Sequence, residues 1–194
     1  MNLQGKTALV TNEFAYSSSG PVGSALNLTR TADANNGLIL DATVPLGSNW
    51  TVSCWFNELR SPGDWRTLLR GPTAEHQVLV ENNSDRVGSY MGGYFPAGGA
   101  TLPTGATWRH ITIVGGNNTM TVYVNGQLMG SGNVQPTEDV KGIGFYQGGA
   151  QKFANALDEF RIESYSRSSN WVWACWLNMA SNSTFNTCQA IRLF

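Results

Sequence analysis

Apolar and polar positions alternate with a period of two through most of the chain. In Trp50-Thr51-Val52-Ser53-Cys54-Trp55-Phe56, the residues Trp50, Val52, Cys54 and Phe56 fall on one face, the pattern of a half-buried strand. Trp108-Arg109-His110-Ile111-Thr112-Ile113-Val114 and Met120-Thr121-Val122-Tyr123-Val124 repeat it. Gly115-Gly116-Asn117-Asn118 and Asn125-Gly126 follow these runs; their residues tolerate positive φ, so both predict hairpins. Further strands are predicted at 25–28, 37–40, 66–70, 77–81, 86–90, 142–145 and 157–163. Many short strands separated by Gly, Asn and Pro turns predict an all-β fold, a two-sheet antiparallel β-sandwich or jelly roll.

One segment departs from this rhythm. From Ser168-Ser169 through Met179-Ala180 no Gly or Pro interrupts the chain, and either serine can cap the start of an α-helix over about 169–180. Apolar residues surround this helix almost completely, so one face must pack on the sheet and the other against something else. No internal repeat and no linker breaks the sequence, and residues 1–194 are expected to form one domain.

Composition narrows the class. Charged residues make up 13% of the chain, with three lysines, 22 glycines and a net charge of −1. That balance gives no electrostatic reason to expect nucleic acid or an anionic membrane as partner. No run approaches the ~18 apolar residues of a membrane span. The N-terminus has no signal-peptide pattern; the chain is expected to be a domain cut from a larger exported protein rather than a cytoplasmic one. The cysteines number three. A Cys175–Cys188 bridge would close a short loop and contribute on the order of 3 kcal/mol if the geometry allows, with Cys54 left as a buried thiol.

The ordered set Ala25-Leu26-Asn27-Leu28, Trp50 to Phe56, Trp65-Arg66-Thr67-Leu68-Leu69, Thr107 to Ile111, Met120 to Leu128, Ile143-Gly144-Phe145-Tyr146 and Leu157 to Ile162 resembles the laminin-G-like jelly roll of the concanavalin A-like lectin/glucanase superfamily. The tail from Ser168 to Phe185 resembles a bacterial branch in which the domain lies at or near the end of large exported proteins. The resemblance implies two antiparallel sheets and an extracellular or cell-surface setting. It leaves function open among lectins, adhesion modules and glycosidases.

The acids of Asn155-Ala156-Leu157-Asp158-Glu159-Phe160-Arg161-Ile162-Glu163-Ser164 are the first chemistry to test. Glycoside hydrolysis needs two carboxyls about 5 Å or about 6.5–9.5 Å apart. On a strand Asp158 and Glu159 face opposite ways, and Glu163 lies roughly 13 Å from Glu159. The Glu-x-Asp-x-x-Glu motif of the superfamily's glucanases is missing, so no enzyme is expected; a divergent glycosidase is the least favoured reading. His76 and His110 stand in no hydrolase or metalloprotease motif, and His110 is expected to be structural.

Alternation puts Asp158 with Phe160 and Ile162, and Glu159 with Arg161. If Phe160 and Ile162 face the core, Asp158 is an inward carboxylate, costly unless backbone amides or a cation satisfy it. By resemblance, a structural calcium ion held by Asp158 and backbone carbonyls is the implied cofactor. Sugar sites pair aromatic faces with side chains that bond hydroxyls. Candidates outside the regular core strands are Trp65, Arg70, Tyr90, Tyr94, Phe95, Tyr146 and Gln147, with the glycine-rich segments 90–96 and 146–149 as partner loops. The expected function is therefore a non-catalytic, lectin-like carbohydrate-binding module whose partner is a polysaccharide or glycan. The alternative is an adhesion or scaffold domain that contacts protein or neighbouring domains through the C-terminal helix.

Overall fold

A computed structural model describes residues 8–9, 16–28, 38–146 and 150–181. The strands are β1 (Ala8–Leu9), β2 (Tyr16–Gly20), β3 (Gly23–Asn27), β4 (Leu38–Val44) and β5 (Trp50–Leu59). They continue with β6 (Arg66–Arg70), β7 (His76–Val80), β8 (Arg86–Tyr90), β9 (Tyr94–Thr101) and β10 (Trp108–Gly116). The last are β11 (Thr119–Val124), β12 (Gln127–Gly132), β13 (Val140–Ile143) and β14 (Ala154–Glu163), followed by the helix α1 (Ser169–Ala180).

They form two seven-stranded sheets, in the orders β12-β11-β10-β5-β14-β3-β2 and β1-β4-β13-β6-β7-β8-β9. Every named strand pair is antiparallel. The fold is thus an all-β sandwich of jelly-roll type with one helix, as the alternation predicts. Trp50, Val52, Cys54 and Phe56 of β5 are all buried between the sheets, with Ile111 and Ile113 of β10 and Met120 and Val122 of β11. Leu40, Leu69, Val78, Val80 and Val87 meet them from the second sheet. Each such side chain, once buried, contributes about 1.5–3 kcal/mol. Both sequence-predicted hairpins are present, and Asn117, Asn118, Asn125 and Gly126 all have positive φ.

Four strands, β1, β2, β9 and β12, lie outside the segments predicted from alternation. In β9 and β12 the reason is physical. They are edge strands of different sheets whose backbones touch: a Cβ on Gly130 would lie 2.7 Å from Ala97 O and from Ala100 N. Small residues at that closure erase the apolar signal by which a strand is recognised. The helix lies on the outer face of the first sheet, where Trp55 Nε1 donates to Met179 Sδ at 3.5 Å. Ser168 caps it by accepting from the Trp171 amide. Val172 is its one fully buried residue, while Trp173 is 48% exposed.

Strand β14 corrects one expectation. Its register against β5 pairs Leu157 with Phe56, Asp158 with Trp55, Arg161 with Ser53 and Ile162 with Val52. Three steps along β14 thus answer two along β5, so a β-bulge interrupts the strand, and Glu159 takes φ +48° there. The bulge turns Asp158 outward beside Trp55 while Phe160 and Ile162 stay in the core. Asp158 therefore does not share the inward row. Its Oδ2 accepts the Val22 amide at 3.1 Å and its Oδ1 the Glu159 amide at 2.8 Å. Gly20 leaves room for it, since a Cβ there would sit 2.6 Å from Oδ2. One carboxylate thus clamps the β2–β3 turn to the bulge. Asp158→Ala is expected to lower the unfolding free energy by roughly 1–3 kcal/mol, read by urea denaturation; an unchanged midpoint would show that the clamp contributes nothing.

Candidate functional site

The outer face of the second sheet gathers the aromatic residues that the sequence singled out. Directly opposed residues in an antiparallel pair share a face. His76 opposes Tyr90 across β7–β8, and Tyr90 opposes Tyr94 across β8–β9. Tyr94 lies over Gly88, where a Cβ would fall 2.6 Å from its ring. Trp65, just ahead of β6, meets Tyr94 at 5.3 Å and Tyr90 at 6.4 Å between ring centroids, both edge to face. His76 then joins Tyr90 at 6.2 Å and Tyr146 at 4.8 Å. Trp65, Tyr94, Tyr90, His76 and Tyr146 thus form a continuous aromatic tract. All but the buried His76 are half-buried.

A polar chain lies beneath the rings. Thr67 Oγ1 donates to Gln151 Oε1 at 2.9 Å, so at the same oxygen it accepts from His76 Nδ1, also at 2.9 Å. That fixes the Nδ1–H tautomer and leaves Nε2 as an acceptor. Burial, with Arg70 nearby, lowers the His76 pKa to about 4, so the ring is neutral at pH 7. Arg70 lies against the same group: its guanidinium sits over the Phe145 ring at 5.5 Å, Nη1 donates to Gly71 O at 3.1 Å, and Nε has no partner. Gly142 opposes it, and a Cβ there would lie 2.7 Å from Nε. Tyr94 O–H donates to Arg86 O at 2.9 Å, and burial raises its pKa to about 12.

Trp65, Tyr90, Tyr94 and Tyr146 are brought together, and Arg70 lies beside them. Arg70 ends β6 and Tyr90 ends β8, at the bounds predicted for the strands 66–70 and 86–90, whereas Tyr94 and Phe95, expected in a loop, open β9. Phe95 opposes Ser89, so it points to the other face and leaves the tract. Gln147 lies outside the described residues. Asp158 belongs to the other sheet. Cys175 is a free thiol on α1, and Cys188, its expected bridge partner, lies outside the described residues. The sequence reading missed Thr67, His76 and Gln151. The available signal was a polar pair, His76-Gln77, heading the otherwise apolar strand β7.

The acids that suggested catalysis are otherwise engaged. Glu159 pairs with Arg161 at 2.6 Å and Glu163 with Arg167 at 2.7 Å, while Asp158 accepts the two amides described above. Among the described residues no group of three or more His, Cys, Asp or Glu side chains gathers to hold a metal. No helix among them is long and apolar enough to cross a membrane. His110 lies under α1, 5.2 Å from the Trp55 ring. Burial, with Arg161 nearby, lowers its pKa to about 4.

A family model described as the concanavalin A-like lectin/glucanases superfamily matches residues 32–173. No curated protein matches the chain in sequence. Among solved structures, domain 4 of a GH43 extracellular arabinanase from Geobacillus stearothermophilus, in complex with arabinotriose, superimposes with a TM-score of 0.60 at 18% identity, over 84% of this chain and 81% of that one. The binding domain of Paraclostridial Mosquitocidal Protein 1 gives 0.62 at 15% identity, over 91% of this chain and 48% of that one. Trypanosoma rangeli sialidase gives 0.60 at 18%, over 91% of this chain. The chain thus spans about half of the mosquitocidal binding domain and 30% of the sialidase.

Both histidines make stability depend on pH. A folded pKa of about 4 against the ordinary 6.5 means that the unfolded chain binds more protons between those values. Stability is therefore full above pH 6.5 and falls as the pH drops towards 4. The melting temperature is expected to decline through that window and to decline less in His76→Gln. A flat profile from pH 7 to 4.5 would contradict the buried, neutral imidazoles.

Proposed function

The chain belongs to the concanavalin A-like lectin/glucanase superfamily, and we propose that it is a non-catalytic glycan-binding module of a larger exported protein. The observation that carries this reading is the aromatic tract, four half-buried aromatic residues in line with a neutral imidazole, with a hydrogen-bonded Thr67–Gln151 pair beneath. Sugar rings present C–H faces that stack on aromatic faces and hydroxyls that need fixed donors and acceptors. Edge-to-face contacts hold the rings in place before a ligand arrives, which reduces the ordering cost of binding. His76 Nε2 is an acceptor for a ligand hydroxyl. The arabinanase domain seen with arabinotriose supports the reading by its shared fold. A shallow tract of this kind binds weakly at one site, and several copies on one exported chain or surface strengthen the attachment.

The non-enzymatic reading rests on the carboxylates, since Asp158, Glu159 and Glu163 are each tied to backbone or arginine on the opposite sheet. Mechanistically, binding here is stacking and hydrogen bonding with no bond made or broken. A purified chain is expected to bind one class of polysaccharide on a glycan array and to release no reducing sugar. Alanine at Tyr90 or at Tyr146 is expected to weaken that binding about tenfold, or about 1.4 kcal/mol. Silence across plant, algal and microbial glycans would overturn the lectin reading, and hydrolysis would overturn the non-enzyme one.

A second reading, an adhesion or scaffold domain, has one observation in its favour. Trp173 on α1 is 48% exposed, and Leu128 and Met129 on the edge strand β12 are 64% and 37% exposed. Gly126, in the β11–β12 turn, lies against Trp173 and Trp176, which places α1 beside that strand's hairpin. Protein capture through this side, with a silent glycan array, is what this reading predicts.

The calcium proposed at Asp158 meets a carboxylate whose two oxygens already accept backbone amides. Among the described residues no group of three or more His, Cys, Asp or Glu side chains gathers, so a calcium ion would have to be completed by backbone carbonyls, and we read Asp158 as satisfied by the two amides. The melting temperature is expected to be indifferent to EDTA. A fall on chelation, reversed by added calcium, would restore the metal.

A further inference from the structure

A cleft of about 370 Å³ borders the aromatic tract at Trp65 and is lined by Arg60, Asp64, Trp65 and Gln151, among others. That volume lies within the range of about 300–1,000 Å³ common for small-molecule sites. Trp65 belongs to cleft and tract alike, since it meets Tyr94 and Tyr90 edge to face. Gln151 is the second link, because Thr67 donates to its Oε1 and accepts from His76 Nδ1. One polar chain thus runs from the imidazole of the tract to a wall of the cleft.

Gln151 occupies that wall at a cost. Its φ is +53°, a left-handed conformation that glycine adopts freely and glutamine does not. The backbone holds it there: Gln151 O accepts the Thr67 amide at 2.8 Å, and a parallel bridge joins Thr67 to Lys152. Glycine could make both backbone contacts, so the carboxamide is what glutamine adds. With Oε1 spent on Thr67, that carboxamide has two Nε2–H donors to offer. Strained non-glycine residues of this kind cluster at binding sites, fixed by their surroundings before a ligand arrives.

The other lining residues set the ligand's chemistry. Asp64 gives Oδ1 to the Trp65 amide at 2.7 Å, and its second oxygen is a further acceptor. Arg60 Nη1 donates to Asn155 Oδ1 at 2.7 Å, one of the five N–H bonds of its guanidinium. A sugar hydroxyl both donates and accepts, so it suits a wall that offers N–H donors beside a carboxylate. A ligand carboxylate or sulfate only accepts, and it would also meet the Asp64 charge.

We infer that this cleft is a sugar subsite in which Gln151 sets specificity. Its Nε2–H donates to a ligand hydroxyl, Asp64 accepts from a neighbouring hydroxyl, and the sugar ring lies against Trp65. The ligand is then an uncharged glycan whose units carry adjacent hydroxyls. This rests on the glycan-binding reading above and specifies its substrate class. The next units of the chain pass Trp65 onto Tyr94 and Tyr90, so hydroxyls are read in the cleft and stacking dominates along the tract.

The test uses the intact chain and a panel of linear oligosaccharides from arabinan, xylan, mannan and β-glucan, oligogalacturonate as the acidic member, and any further glycan positive on the array. At least one neutral member is expected to bind more tightly than oligogalacturonate. Gln151→Glu keeps the side chain's shape and an oxygen for Thr67 but removes both N–H donors. It should weaken that binding about tenfold or more while the urea midpoint stays unchanged. Gln151→Gly, which suits the positive φ, should show the same loss. Unchanged affinity in either variant assigns Gln151 to the Thr67 bond alone; it overturns the inference and leaves the glycan reading intact. Tighter binding of oligogalacturonate than of every neutral member overturns the uncharged class. No binding to any member overturns the inference and the glycan reading together.

Discussion

The contact on which the aromatic face of the second sheet depends is the neutral imidazole of His76, held between Tyr90 and Tyr146. Strand β7 is buried along its whole length, so its outward residues need cover as its inward ones do. A charged histidine there would be expensive. Neutrality, one bond to Thr67 and two ring neighbours let the face close over polar groups without an ion pair. Tyr90 then supports Trp65 and, across the β8–β9 pair, stands beside Tyr94. Remove the imidazole and the rings lose the centre that sets their spacing.

The two outer faces solve the problem of cover differently. The first sheet is closed by its own helix, whose Met179 and Cys175 meet Trp55 and Arg161. Among the described residues, the second is covered by side chains alone, and Trp65, Tyr90, Tyr94 and Tyr146 stay half-buried. Such an open face costs apolar exposure that a purely structural sheet avoids.

Much of this architecture is legible in the sequence, because a period of two survives wherever a strand has one buried face. β5, β10 and β11 carry it plainly, and Asn117-Asn118 and Asn125-Gly126 mark their turns. The reading fails where the backbone, not the side chains, decides. Nothing in the acids of β14 announces that Glu159 will take a positive φ, yet that single bulge moves Asp158 from the core to the surface. β9 and β12 are hidden by glycine and alanine at a close backbone approach. The candidate aromatics Trp65, Tyr90, Tyr94 and Tyr146 were legible as residue types in glycine-rich context. Their assembly was not, since it depends on strand register and on His76, whose role appears only when β7 is set beside β8.

The proposed ligand binds along the second sheet's outer face and not on the helix side. Indole N–H resonances test this directly, because the seven tryptophans are distributed over both sheets, the core and the helix. On titration with a glycan that binds, the Trp65 resonance is predicted to shift in proportion to occupancy, with Trp50 in the core and Trp173 on α1 unmoved. A shift confined to Trp173 or Trp171, with Trp65 silent, would contradict the account and place the ligand on the helix side.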